Sequence, residues 1–222
     1  MKAFVIAIEG HTKSQAAANK CIKSGMRNGL VIEKWKATTP ADNIVTYAQE
    51  RFWPLGNWVE KYSRSNNCLA AFISHYRLWN ECILRNETIA IFEHDAIITS
   101  PIHEPTGYGP ICTNIGAPSY GKYDTPNILG INPLTSKRYF PGAHGYIVNP
   151  TAAQILVDGV RGYGRPTDLY LNLDVFPWLT EVYPWPVEAR DTFTTIQTFA
   201  GCQAKHKFND SYQISDIINE TR

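Results

Sequence analysis

The sequence predicts an α/β fold built on a central, mostly parallel sheet, and three observations predict it. Residues 3–8 and 88–92 are short apolar runs rich in β-branched and aromatic residues, as expected of strands buried on both faces. Between the first run and a second one at residues 30–35 lies a segment with helix signals, so the chain opens β-α-β, the order of parallel strands joined by a right-handed crossover. The run at 88–92 then ends in Glu93-His94-Asp95, which puts acidic groups at a strand's carboxyl end, where open α/β sheets take their ligands.

The opening strand is followed by Glu9-Gly10, and Thr12 or Ser14 can cap a helix that runs to about Lys23, with Gly25 as its stop. There is no G-x-G-x-x-G after the strand, so a dinucleotide fingerprint is absent; Lys13 and Ser14 read as loop polarity before they read as phosphate ligands. Residues 36–66 are less regular, with a short helix expected around 42–51. Phe52-Trp53-Pro54-Leu55-Gly56-Asn57-Trp58 is either a lid or a hydrophobic plug, and the plug is favoured. Asn66-Asn67 is the expected N-cap of the clearest helix, residues 68–84, in which Leu69, Phe72, Ile73, Tyr76, Trp79 and Ile83 form one apolar stripe. Ser74, His75 and Arg77 fall elsewhere around that wheel.

After the strand at 88–92, residues 101–127 are dense in Pro, Gly, Tyr and Thr and read as a loop over the sheet's carboxyl edge. Strands are expected at 127–131, 145–148 and 181–185. Asn149 caps a helix with Pro150 in its first position and Gly159 at its end. Asp168 opens a short amphipathic stretch, and a helix is expected at 211–219.

With 222 residues the chain can build one sizeable core. Its 44% apolar and 18% charged residues are those of an ordinary globular protein, which excludes disordered and fibrous classes. A net charge of +1 argues against a broad electrostatic grip on nucleic acid or anionic lipid. Cys21, Cys68, Cys82, Cys112 and Cys202 are odd in number and contain no C-x-x-C, so a reduced, cytoplasmic setting is expected, in a cell or in the host of a virus. No run approaches the length of a membrane span, and the N-terminal apolar run is too short for a signal peptide. The Asn-X-Ser/Thr matches at Asn86, Asn209 and Asn219 therefore carry no weight.

Glu93 and Asp95 are the only i, i+2 pair among the twenty Asp and Glu residues. If the strand stays extended they share one face, and two carboxylates suit a hard cation such as Mg²⁺ or Mn²⁺. The bland reading is a solvated strand end. What precedes the pair shifts the balance. C-L-A-A-F-I-S-H-Y-R-L-W-N-E (residues 68–81), followed by an apolar strand ending E-H-D, resembles the glycosyltransferase family 25 pattern of a Cys…Ser-His…Leu-Trp helix before a strand ending Glu-Asp-Asp. Gly145-Tyr146-Ile147-Val148-Asn149 with Ala152-Ala153 resembles that family's Tyr-Ile-Ile-Ser…Ala-Leu stretch, and Pro166-Thr167-Asp168 its Pro-Val-Asp. The resemblance covers about residues 60–175; the opening strand lacks the usual Leu-Asp-Arg…Arg signature, and His94 replaces the middle acid.

The resemblance implies a GT-A-like architecture: a Rossmann-type nucleotide-sugar-binding half, about residues 1–100, fused to an acceptor half, about 101–222. It implies transfer of a hexose or pentose from a UDP-sugar to an acceptor hydroxyl with inversion, aided by Mn²⁺ or Mg²⁺. Asp95 is then the first metal ligand, with Glu93 beside it or on the ribose, and His206 a third ligand unless it is simply part of a basic tail. His75 and Ser74 fall on the family's Ser-His and would line the donor pocket, with His75 otherwise a core histidine and His144 a weaker candidate. Asp168 is the expected general base or else a helix cap, with Asp174 and Asp191 as rivals. The acceptor is a saccharide, a hydroxylated protein or a hydroxylated DNA base, and the oligomeric state is left open. The competing classes are a metal-dependent phosphohydrolase or nuclease and a non-catalytic sugar-nucleotide-binding protein.

Overall fold

The structure, a computed structural model, describes residues 1–58, 63–119, 121–190 and 193–196. The expected helix at 211–219, His206, Asp191 and Cys202 lie outside the described residues.

The opening β-α-β unit forms as expected. β1 (Lys2–Ala7) is followed by α1 (Thr12–Arg27) and β2 (Glu33–Lys36), and β1 pairs with β2 in parallel. Two details differ from expectation. His11 caps α1, its Nδ1 accepting from the Ser14 N–H at 3.1 Å, and the helix continues past Gly25 to Arg27. Gly25 is instead a packing position: a Cβ there would come within 2.5 Å of the Ile32 side chain and 3.0 Å of the Leu30 carbonyl. Ser14, buried, accepts the Ile8 N–H at 2.9 Å and so braces the end of β1.

After α2 (Ile44–Gln49) comes a short 3₁₀ turn, Leu55–Trp58, and the aromatic loop around it is a plug. Trp53 and Trp58 are buried and each packs edge-on against Phe72. Phe72 belongs to α3 (Ser65–Arg85), which starts at Arg64 without a side-chain cap, not at Asn66-Asn67. The apolar face of α3 is wider than one stripe: Ser74, His75 and Leu78 are buried along with Leu69, Phe72, Ile73 and Trp79.

β3 (Ile89–Glu93) lies parallel to β1 at the centre of a sheet of seven strands among the described residues. The others are β5 (Cys112–Asn114), β6 (Gly130–Pro133), β7 (Gly145–Val148) and β8 (Thr180–Tyr183), in the order β2-β1-β3-β7-β5-β8-β6. β1, β2, β3, β5 and β8 run one way; β6 and β7 run against them. The sheet is therefore mixed beyond β3. β4 (Ala96–Ile98) pairs with β9 (Val187–Ala189) in a separate ribbon, and with β5 it was not expected; three-residue strands are too short to show a period.

Side chains alternate between two cores, as strand geometry requires. Ala3, Val5, Ala90 and Phe92 face Ala18 and Cys21 of α1; Phe4, Ile6, Ile89 and Ile91 face α3 and α4 (Pro150–Tyr163). Asn149 caps α4 as expected, accepting the Ala152 N–H at 2.9 Å, with Pro150 in the first turn. The helix does not stop at Gly159. A Cβ there would fall 2.8 Å from the Tyr170 hydroxyl, so this glycine admits a close approach by α5 (Thr167–Tyr170).

Candidate functional site

The cleft of interest opens at the carboxyl edge of the parallel strands. Ile6 and Ile8 from β1 and its exit, residues 37–40 after β2, and Glu93 and His94 after β3 form its floor and one wall. Ala70, Ala71, Ser74 and His75 of α3 form the other wall, and Thr195 and Ile196 close one end. That end is tethered to the start of α3, where the Arg64 N–H donates to the Ile196 carbonyl at 2.7 Å and Asn67 Nδ2 to that of Thr195 at 2.5 Å.

Glu93 reaches the cleft because it continues the phase of Ile89 and Ile91, the residues that face α3. Tyr146, opposite Ile91 on the antiparallel neighbour β7, faces α3 as well. Between the two stands His75. Its Nδ1 lies 2.9 Å from the Tyr146 hydroxyl and its Nε2 3.4 Å from Glu93 Oε1. The Trp79 indole N–H donates to the same hydroxyl at 2.9 Å. Burial holds His75 far below the ordinary imidazole range, to about 3, and pushes the Tyr146 phenol well above its own, so both are neutral and protonated once at pH 7. Glu93, by contrast, is 29% exposed.

Ser74, expected to line the donor pocket, lies in the cleft wall with its hydroxyl engaged twice. It accepts the Thr38 N–H at 2.8 Å and donates to the Ala70 carbonyl at 3.1 Å, which fixes the loop after β2 against α3. Asp95 is not on the face of Glu93. The strand ends at Glu93, and His94-Asp95 turn, so the extended geometry that would align the two carboxylates is not kept. Asp95 is 9% exposed, its carbonyl accepts the Arg190 N–H at 2.9 Å, and its charge acts on Cys21 of α1, on the other side of the sheet. His94 lies on the rim, stacked on Phe193 at 5.2 Å between ring centres. His144 is a buried histidine set against Gly116 and Gly142, where a Cβ would fall 2.5 and 3.0 Å from its ring.

Asp168 stands apart from this cleft. It lies in the first turn of α5, its Oδ1 accepting the Leu169 N–H at 2.9 Å, and Pro166, not Asp168, is the cap. Its charge acts on Lys137, whose ammonium is lowered by burial and raised by Asp168. Lys137 and Leu169 line a second, wider cleft with Tyr123, Tyr139 and Tyr163. Asp174, the rival base, is exposed and paired with Arg138 in that same cleft.

Among the described residues no three His, Cys, Asp or Glu side chains gather into a metal cage. A cation of the Mg²⁺ type does not need one: it keeps several waters and takes one or two carboxylates plus substrate phosphates. Glu93, open to the cleft and held from behind by a neutral imidazole, fits that pattern as one carboxylate.

Fold and site together define an α/β protein that takes its ligand at the carboxyl edge of a parallel β1–β3 pair. Residues 2–106 match the family model of glycosyltransferase family 25 (LPS biosynthesis protein). The resemblance carried by the helix at 68–81 and by Glu93-His94-Asp95 thus holds, and it extends back through the opening strand, which lacked the expected signature. The landmarks at residues 145–153 and 166–168 lie beyond the matched stretch. No curated protein matches the chain. No helix among the described residues is long and apolar enough to cross a membrane.

The residues that pattern reading missed are Tyr146 and Trp79 as partners of His75, together with Asn67. Tyr146 sits in a buried strand and Trp79 in an apolar stripe, and both read as core. Only the register of β3 against β7 reveals that they meet His75.

Proposed function

We propose that this protein is a glycosyltransferase that moves a hexose or pentose from a UDP-sugar to an acceptor hydroxyl, with a divalent cation, Mn²⁺ or Mg²⁺, on the diphosphate. The carrying observation is the Glu93 cleft itself: an ionisable carboxylate at the carboxyl edge of β3, beside an apolar wall, within the stretch that matches family 25. The GT-A comparison is favoured by that placement, with the nucleotide in the cleft among Ile6, Ile8, Ala70 and Ala71. Glu93 and Asp95 are the residues that would hold the cation, Glu93 from the cleft and Asp95 from the turn behind it. When bound, the cation neutralises charge on the leaving diphosphate. The protein's own residues bind and orient. His75 and Tyr146 fix the Glu93 carboxylate, Ser74 fixes the wall after β2, and Asp168 is the proposed base that takes the acceptor proton in an inverting attack.

UDP titrated calorimetrically with and without Mn²⁺ tests this reading. Glu93→Gln keeps the size of the side chain and removes its charge. Mn²⁺ is expected to strengthen UDP binding in the wild type, and Glu93→Gln and Asp95→Asn are expected to weaken the Mn²⁺-dependent part by about 10–100-fold. UDP affinity indifferent both to Mn²⁺ and to Glu93→Gln would sink the assignment.

A further inference from the structure

We infer that Tyr146 is a positioning residue for Glu93, acting through His75: its hydroxyl fixes the imidazole in the Nε2–H form and so aims an N–H at the carboxylate of the cleft. Three steps lead there. The Trp79 indole nitrogen can only donate, so its 2.9 Å contact occupies a lone pair of the Tyr146 oxygen. The phenol keeps its own proton to give, and His75 Nδ1, also at 2.9 Å, is placed to receive it. A neutral imidazole that accepts at Nδ1 carries its hydrogen on Nε2, the nitrogen that faces Glu93 Oε1 at 3.4 Å.

The opposite tautomer reverses each of these contacts at a cost. Nε2 would present a lone pair to a carboxylate, which only accepts when ionised, and Nδ1–H would meet an oxygen whose proton then has to turn elsewhere in a fully buried site. The chain Trp79–Tyr146–His75–Glu93 therefore has one favourable direction, running from the core to the cleft. Its terminal bond is long, as hydrogen bonds in ligand-free sites often are before a ligand tightens them. A neutral donor suits the task proposed for Glu93, because it orients the carboxylate without cancelling the charge that a cation or polarised ligand needs. Ring stacking of His75 on Tyr146, 5.7 Å between centres and 22° between planes, holds the imidazole against rotation as well.

The role in sugar-nucleotide binding rests on the function proposed above; the tautomer does not, and the experiment separates them. The protein labelled with ¹⁵N-histidine is read by NMR for the state of His75, and UDP with Mn²⁺ is titrated on the same samples. Three proteins are compared: wild type, Tyr146→Phe, and Phe140→Leu, which loosens packing on the same Tyr146 ring without touching its hydroxyl. The wild type is expected to show the Nε2–H tautomer alone. Tyr146→Phe is expected to show a mixture and about 10–100-fold weaker UDP–Mn²⁺ binding. Phe140→Leu is expected to melt lower yet keep tautomer and affinity. An Nδ1–H tautomer in the wild type overturns the proposal whether or not any variant folds. So does a Tyr146→Phe protein that keeps the single tautomer, or a Phe140→Leu protein that loses it. A wild type with the Nε2–H form but no affinity for UDP would leave the tautomer standing and count against the transferase reading and Tyr146's part in it.

Discussion

His75 is the residue where the cleft conflicts with stability. In an unfolded chain its imidazole takes a proton near pH 6.5, whereas burial in the folded protein lowers that to about 3. Below about pH 6.5 the unfolded chain binds a proton that the folded one refuses, so the sign is a loss of stability as pH falls from 6.5 toward 3. The loss is roughly 1.4 kcal/mol per pH unit in that window, a large share of a typical 5–15 kcal/mol. His75→Gln is neutral throughout and still offers an N–H near the Nε2 position. Its melting temperature should fall less steeply than that of the wild type between about pH 6 and pH 4. Equal slopes would mean that the imidazole protonates in the folded state at no cost. The sequence exposed His75 as a candidate through Ser-His, but not its burial, because a helical wheel drawn on apolar residues alone leaves a buried histidine on the polar side. Ser14 and Ser74 show the same limit: their types were legible, while the backbone N–H each one accepts belongs to a loop that only the fold brings near.

α3 is the element on which the site is built, since one of its faces packs the core and its first turns wall the cleft. Trp79 joins both tasks: it is fully buried, stacks on Tyr170 and meets Phe72 edge-on. Trp79→Ala should cost about 3–5 kcal/mol, and chemical denaturation would show it as a lower midpoint; a midpoint within error of the wild type would place that face outside the core. A second test concerns α4. Gly159→Ala drives a methyl to 2.8 Å from the Tyr170 hydroxyl and 3.3 Å from Phe176, so it should destabilise by about 1–3 kcal/mol despite alanine's better helix propensity. An unchanged or raised melting temperature would show that α5 can move aside. The long elements, β1, α1, α3, β3, β7 and α4, were legible because each carries a sustained period or a cap. Gly25 and Gly159 misled the helix ends for one physical reason: a glycine that stops a helix and one that admits a neighbour look alike until the neighbour is known. β4 and β5 were hidden because three residues cannot establish alternation, and residues 101–127 have the composition of loop.

At the scale of the whole molecule, the edge of the sheet separates two clefts, one at Glu93 and one beside Asp168. A short segment links them: Tyr139 lines the second cleft, and the His144 carbonyl accepts the Glu93 N–H at 3.1 Å. Five residues span at most ~18 Å, so a donor sugar in one cleft and an acceptor entering by the other are within reach of each other. The Glu93 end of this arrangement was legible in the sequence, as a strand end with acids. The separation of Glu93 from Asp95 was not, because the i, i+2 rule holds only while the strand remains extended, and here the chain turns at His94. The proposal that Asp168 is the base is the one most exposed to test. A base must come within about 2.6–3.2 Å of the attacking hydroxyl, on the side of the sugar away from the diphosphate, and Asp168 belongs to a segment far in sequence from the Glu93 strand. Its carboxylate lies beside Lys137 on the tyrosine-lined side of the molecule, and its Oδ1 accepts a single backbone N–H, from Leu169, which an asparagine oxygen can accept equally. Asp168→Asn therefore keeps the local geometry and removes the proton acceptor. Transfer from a UDP-sugar should fall by about 10²–10⁴-fold, while UDP–Mn²⁺ affinity and melting temperature stay near those of the wild type. A variant that keeps more than about a tenth of wild-type turnover at saturating donor and acceptor shows that another group takes the proton. Asp174→Asn is the paired control: its carboxylate is exposed and held by Arg138, so its loss should leave turnover within a few-fold, and a collapse there instead would move the base to Asp174.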